Sequence, residues 1–247
     1  MSIADKLTTI TENQQRVYDA GFTAGQESGG GGGSYDQGYA DGKQAEYDRF
    51  WDACQENGNR TKYSYAFAHG SWKDETFKPK YDIRPVGDAS YMFNKCQITD
   101  LKGILERQGV VLDLSGVTWS VNTFHEMREN TRVPELDIRN TPDFTFSYNT
   151  SLVSIDKLIL NEDGTNALSF SYCQSLEYIR FDGVIGKDLN MQHCKNLTND
   201  SVQSIIDHLK DLTGETAKTV RFHATVGANI TDAQKAQITA KNWTLVY

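Results

Sequence analysis

The 247-residue chain has no stretch of 18 consecutive apolar residues, so it offers no transmembrane helix. Its opening, Met1-Ser2-Ile3-Ala4-Asp5-Lys6-Leu7, lacks a basic segment followed by an apolar run, so no secretory signal is expected. Positive charge is in short supply. With 25 Lys and Arg against 33 Asp and Glu, the formal charge is −8. That argues against nucleic acid, whose phosphates need a basic face, and against binding to an anionic membrane. The four cysteines, Cys54, Cys96, Cys173 and Cys194, form no Cys-x-x-Cys pair. They read as free, mostly buried thiols of a protein folded in a reducing cytosol.

Catalytic signatures are missing as well. The five histidines make no His-Glu-x-x-His and no zinc spacing with cysteine, and no Gly-x-Ser-x-Gly elbow occurs. His193 adjoins Cys194, but neighbours on an extended segment point apart, which denies them a nucleophilic pairing. The stretch Asn161-Glu162-Asp163-Gly164-Thr165-Asn166 falls short of a calcium loop and reads as a turn at Asp163-Gly164. No catalytic residue, metal ligand or cofactor site is therefore expected. Asp113, Asp137 and Asp182 fall on successive predicted strands and could approach the spacing of a glycosidase carboxylate pair. A carbohydrate-active enzyme thus stands as an alternative.

What is present begins with a narrow apolar seam over residues 1–28. Ile3, Leu7, Ile10, Val17 and Ala24 follow heptad steps, with Gln14 and Gly21 as weak members. An isolated helix cannot bury that seam, so the spacing predicts self-association through residues 1–28. Five glycines, Gly29 to Gly33, then make a hinge over 29–34. A Gly-aromatic-x-x-Gly motif lies on each side of it, at Gly21–Gly25 and Gly38–Gly42. Residues 35–61 hold a second helix with Tyr39, Tyr47, Phe50, Trp51 and Cys54 on its apolar side, stopped by Asn57-Gly58-Asn59.

From about residue 62 one unit recurs. It reads Phe146, Asn149, Leu152, Ile155; then Phe170, Cys173, Leu176, Ile179; then Met191, Cys194, Leu197. Tyr91–Cys96 is a looser copy and Phe124 begins another. Alternating strands at Leu112–Ser115, Leu136–Arg139, Leu158–Leu160 and Ile179–Asp182 lie between these marks. A period of 21–24 residues with one strand each predicts an α+β repeat, a leucine-rich-repeat solenoid over 62–200. Residues 201–247 depart from it. They predict an amphipathic helix over 201–212, a strand at 219–222, a helix opened by the capping box Thr231-Asp232-Ala233-Gln234, and a last strand at 242–247. This is an α/β capping unit for the open end.

The marks Met92-Phe93-x-x-Cys96, Leu112-Asp113-Leu114-Ser115 and Phe170-x-x-Cys173-x-x-Leu176 resemble the BspA-like leucine-rich repeats of bacterial surface proteins. The opening Ser2–Thr8, the segment Ala45-Glu46-Tyr47-Asp48-Arg49-Phe50-Trp51 and the close Ala240-Lys241-Asn242-Trp243-Thr244 are similar to proteins encoded in phages and prophages of Gram-positive gut bacteria. The resemblance implies a tail-associated virion component, extracellular after host lysis, with its repeats displayed outward. The expected function is a non-enzymatic structural or adhesion protein, with a carbohydrate-active enzyme acting on host surface glycan or an intracellular bacterial repeat scaffold, made in the bacterial cytoplasm, as the alternatives. Its partners would be itself or other virion proteins at one end and a host surface protein or glycan at the other. The outward strand positions form the candidate binding face: Asp113, Asp137, Arg139, Lys157, Ile159, Tyr178, Arg180 and Asp182.

Overall fold

A computed structural model describes residues 66–68 and 72–247. The predicted helices of 1–28 and 35–61, the hinge of 29–34 and Cys54 lie outside the described residues. The strands run in chain order as β1 (Gly87–Asp88), β2 (Val117–Trp119), β3 (Arg132–Val133), β4 (Leu136–Asp137), β5 (Asp143–Thr145), β6 (Ser154–Ile159), β7 (Ala167–Ser169), β8 (Tyr178–Asp182), β9 (Leu189–Met191), β10 (Lys218–Phe222) and β11 (Trp243–Val246). The helices are α1 (Leu101–Gln108), α2 (Asn199–His208), α3 (Ala224–Gly227) and α4 (Asp232–Ala240).

Every strand pair among the described residues is parallel. A parallel partner can only be reached by a return connection. Ser154 pairs with Tyr178 and Asp143 with Ala167, so each pass of the chain lays equivalent residues side by side. The driving force is a buried column. Phe67, Phe93, Phe124, Phe146 and Phe170 are wholly buried. Their successive ring centroids lie 4.9, 5.2, 5.5 and 5.5 Å apart. Each such pair contributes roughly 0.5–1.5 kcal/mol beyond its buried area. Met191, also wholly buried, takes the position after Phe170.

One position in each pass closes the turn under its neighbour. Asn149 Nδ2 donates to the Phe124 carbonyl at 2.8 Å, and Cys173 Sγ donates to the Phe146 carbonyl at 3.1 Å. Cys194 Sγ faces the Phe170 carbonyl at 3.8 Å. Burial pushes the thiols of Cys96 and Cys173 up to about 12, and that of Cys194 upward as well. These are inert, neutral thiols.

The expected leucine-rich-repeat solenoid with one strand per 21–24-residue coil is not what the chain builds. Its strands fall into four small parallel sheets: β1-β2, β3/β4-β6-β8, β5-β7 and β9-β10-β11. Between Phe124 and Phe146 lie three strands, not one. The reason is a second apolar position per pass, buried at Phe144 and Leu189 and half-buried at Leu168, each on a further short strand. Pro134, which has no N–H to donate, separates β3 from β4. The period fails too. Gly87 pairs with Val117, thirty residues on, because α1 is inserted in that pass.

The C-terminal stretch adds β10 directly to β9, with Val220 opposite Leu189, and β11 to β10. The capping box forms as expected. Thr231 N–H donates to Gln234 Oε1 at 3.0 Å and Gln234 N–H to Thr231 Oγ1 at 3.2 Å. The helix predicted over 201–212 begins earlier and ends at His208. Leu209 is extended there and bridges to Ile185, so sheet pairing ends the helix one turn early.

Candidate recognition face

The sheet centred on β6 carries the candidate face. Its inward row is Leu136, Leu158 and Phe181, paired across the three strands and buried. The outward row beside it is Asp137, Ile159 and Asp182, also in register. Strand alternation forces this division, since successive side chains point to opposite faces.

Alternation breaks once. Ile155 pairs with Ile179 and Leu158 with Phe181, so Asp156 and Lys157 together stand opposite the single residue Arg180. This is a β-bulge. On the other edge of β6, the same two residues face the break at Pro134-Glu135. The irregularities coincide, and a groove of about 350 Å³ opens there, lined by Glu135, Asp156, Lys157, Tyr178 and Arg180.

Most charges of the face are paired. Lys157 Nζ lies 2.9 Å from Glu135, and that hydrogen bond holds the lysine above its ordinary pKa. Arg139 engages both oxygens of Asp137, through Nε at 3.0 Å and a terminal nitrogen at 2.8 Å, which raises the guanidinium pKa. Asp156 is held from the side by Lys102 at 2.7 Å, and its hydrogen bond raises the lysine pKa. Arg180 lies over the ring of Tyr178, 5.0 Å from its centroid. That geometry is a cation–π contact. Below the face, Asp100 caps α1 by accepting from Gly103 N–H at 2.9 Å and binds Arg132 Nε at 2.9 Å. Burial raises the Asp100 pKa, but the hydrogen bonds from Arg132 and Gly103 outweigh it and leave the carboxyl below its ordinary value.

Lys157, Tyr178 and Arg180 are therefore brought together in the groove, with Asp137, Ile159 and Asp182 in the neighbouring row and Arg139 joined to Asp137. Asp113 is not among them. It lies outside the β6 sheet, on a segment bridged to Ile83, and its carboxylate accepts from Ser115 N–H at 3.0 Å and Ser115 Oγ at 2.6 Å. Sequence reasoning missed Glu135 and Asp156. Their signal was present: Asp156-Lys157 puts two polar residues between the inward Ile155 and Leu158, where strict alternation allows one.

Comparison of the chain with protein-family models, with curated proteins and with solved structures finds no match in any of the three. Among the described residues no helix is long and apolar enough to cross a membrane.

Proposed function

We propose that this chain is a non-enzymatic phage-type adhesion protein, carried on the virion, that presents the outward face of β4, β6 and β8 to a protein or glycan of a host surface. The observation that carries this reading is the bulge groove. Glu135, Asp156, Lys157, Tyr178 and Arg180 converge on it from β6, β8 and the link between β3 and β4, in a groove with an aromatic residue and charges of both signs. Binding sites combine a few placed polar groups with an aromatic surface in this way. Asp137 lies two strands from Asp182 in one row, but both its oxygens are engaged by Arg139, which supports binding over hydrolysis. Anchoring or self-association through residues 1–28 belongs to the same proposal and would add avidity to weak single contacts.

The test is binding of the fluorescently labelled full-length chain to a panel of Gram-positive gut bacteria, beside the double variant K157E/R180E. The reading expects at least one strain to bind the parent chain and to lose the variant. Equal binding of both, or none by either, contradicts it. For the anchoring part, sedimentation equilibrium is run on the whole chain and on one starting at Tyr35. An oligomer that becomes monomeric on truncation is expected, and a monomer in both cases refutes the anchor.

A further inference from the structure

Three consecutive passes carry a strip with no formal charge. Residues 144–149, 167–173 and 190–194 contain no Asp, Glu, Lys or Arg, in a chain that is 23% charged. The strip lies along β5, β7 and β9, away from the β6 sheet. Tyr148, Tyr172 and His193 each follow a residue of the buried column by two positions, and they stack into a ridge. The two tyrosine rings are 4.7 Å apart and 17° from parallel. Tyr172 and His193 are 4.4 Å apart and 14° from parallel. His125 closes one end, edge-on to Tyr148 at 5.3 Å. A line of hydroxyls runs alongside: Thr145 Oγ1 donates to Ser147 Oγ at 2.9 Å, and Ser147 Oγ lies 2.8 Å from Ser169 Oγ.

The ridge is costly to maintain. Tyr148 and Tyr172 adopt φ of +65° and +62°, and Lys95 and Glu126 hold the same place at +56° and +59° in earlier passes. At these four places the turn is left-handed, which costs an L-side chain roughly 1–2 kcal/mol and suits Gly or Asn better. Burial does not repay that cost, because each tyrosine is 40% exposed. Stacking, at about 0.5–1.5 kcal/mol per pair, does no more than offset it.

We propose that the Tyr148–Tyr172–His193 ridge binds an uncharged carbohydrate chain, at a site separate from the β6 face. Because the rings cover one another's faces, they offer outward an apolar edge and a phenol hydroxyl. A phenol hydroxyl donates and accepts, as each sugar hydroxyl does. Within these three passes the strip holds no ionic group to reward a charged partner, and Glu126, in the pass before Tyr148, is already engaged by Arg128 at 3.0 Å and Lys95 at 3.8 Å. Three rings in steps of 4.7 and 4.4 Å make a patch far smaller than the roughly 800 Å² per side that a stable protein partner buries. A few sugar units cover it. The ridge is already stacked, so little side-chain freedom is lost on binding.

The test titrates the full-length chain with cellohexaose, chitohexaose and maltohexaose, and with hexagalacturonate as the charged control, by isothermal titration calorimetry. The variant Y148N/Y172N removes the rings and places Asn in a left-handed turn it tolerates. Y148F/Y172F keeps the stack and removes only the hydroxyls. At least one neutral hexaose should bind, at least tenfold more weakly to Y148N/Y172N, detectably more weakly to Y148F/Y172F, and equally well to K157E/R180E. Absence of binding by all three neutral sugars at millimolar concentration overturns the proposal. So does preference for hexagalacturonate, or binding that survives in both tyrosine variants. A loss seen only in K157E/R180E also overturns it, by moving the sugar to the charged face.

Discussion

Asn149 offers a direct trial of how the passes are held in register. Its Nδ2 bonds the Phe124 carbonyl of the preceding pass at 2.8 Å, in a residue only 1% exposed. Asn149→Ala removes the donor and leaves that carbonyl buried and unpaired, which costs about 1–3 kcal/mol. Asn149→Cys should behave differently. Cysteine occupies the equivalent place in the next two passes, where Cys173 donates to the Phe146 carbonyl at 3.1 Å and Cys194 approaches the Phe170 carbonyl at 3.8 Å. A thiol at 149 keeps a weak donor over the carbonyl and fills part of the space, so the expected cost is below about 1 kcal/mol. Urea denaturation of the parent and both variants gives the comparison, with the slope monitored so that a changed unfolded state is not mistaken for a changed stability. If Asn149→Cys is as destabilising as Asn149→Ala, the equivalence of residues 149, 173 and 194 is refuted.

Further outcomes follow from single contacts. A Cβ on Gly186 would meet the Gly164 carbonyl oxygen at 2.5 Å and its Cα at 2.9 Å, both of them backbone, so Gly186→Ala should cost about 1–3 kcal/mol and lower the thermal midpoint. An unchanged midpoint would refute this close approach. Lys241 Nζ donates to the Ile206 and Asp207 carbonyls at 2.9 and 2.8 Å, closing the last turn of α2. Burial lowers its pKa and offsets part of the gain, so Lys241→Met should cost about 1 kcal/mol, measured by urea denaturation. The folded Asp100 carboxyl lies below its ordinary pKa, so it adds stability above about pH 4 that fades as pH falls through the folded value. The parent should therefore lose stability more steeply than Asp100→Asn as pH falls below about 4, and parallel curves would contradict that assignment.

Much of the interior was legible in the sequence. The series Phe146, Asn149, Leu152, Ile155 and Phe170, Cys173, Leu176, Ile179 marks residues that are all buried in the structure. Their regular spacing recorded the pass-to-pass stacking, and the capping box at Thr231 recorded a local hydrogen-bond pattern. The division into several sheets was not legible. Phe144, Leu168 and Leu189 are single apolar residues among polar ones, and their strands exist because the buried column fixes the register beside them. The pass holding α1 was obscured because a helix replaces the repeat pattern there. One fixture of that helix, Lys102 to Asp156, spans 54 residues, a separation no local pattern records. On the face, Lys157, Tyr178 and Arg180 were found from outward strand positions, whereas Glu135 and Asp156 depended on a bulge. The aromatic ridge escaped because its tyrosines sit in turns, where no strand or helix period applies.

The β4–β6–β8 face is proposed as the surface that meets the host. Hydrogen exchange read by mass spectrometry tests it most directly, on the full-length chain alone and with excess cell envelope from a strain that binds it. The account predicts slowed exchange in 132–139, 154–159 and 178–182, abolished in K157E/R180E. Slowed exchange confined to other segments, or unchanged exchange throughout despite binding, would contradict it.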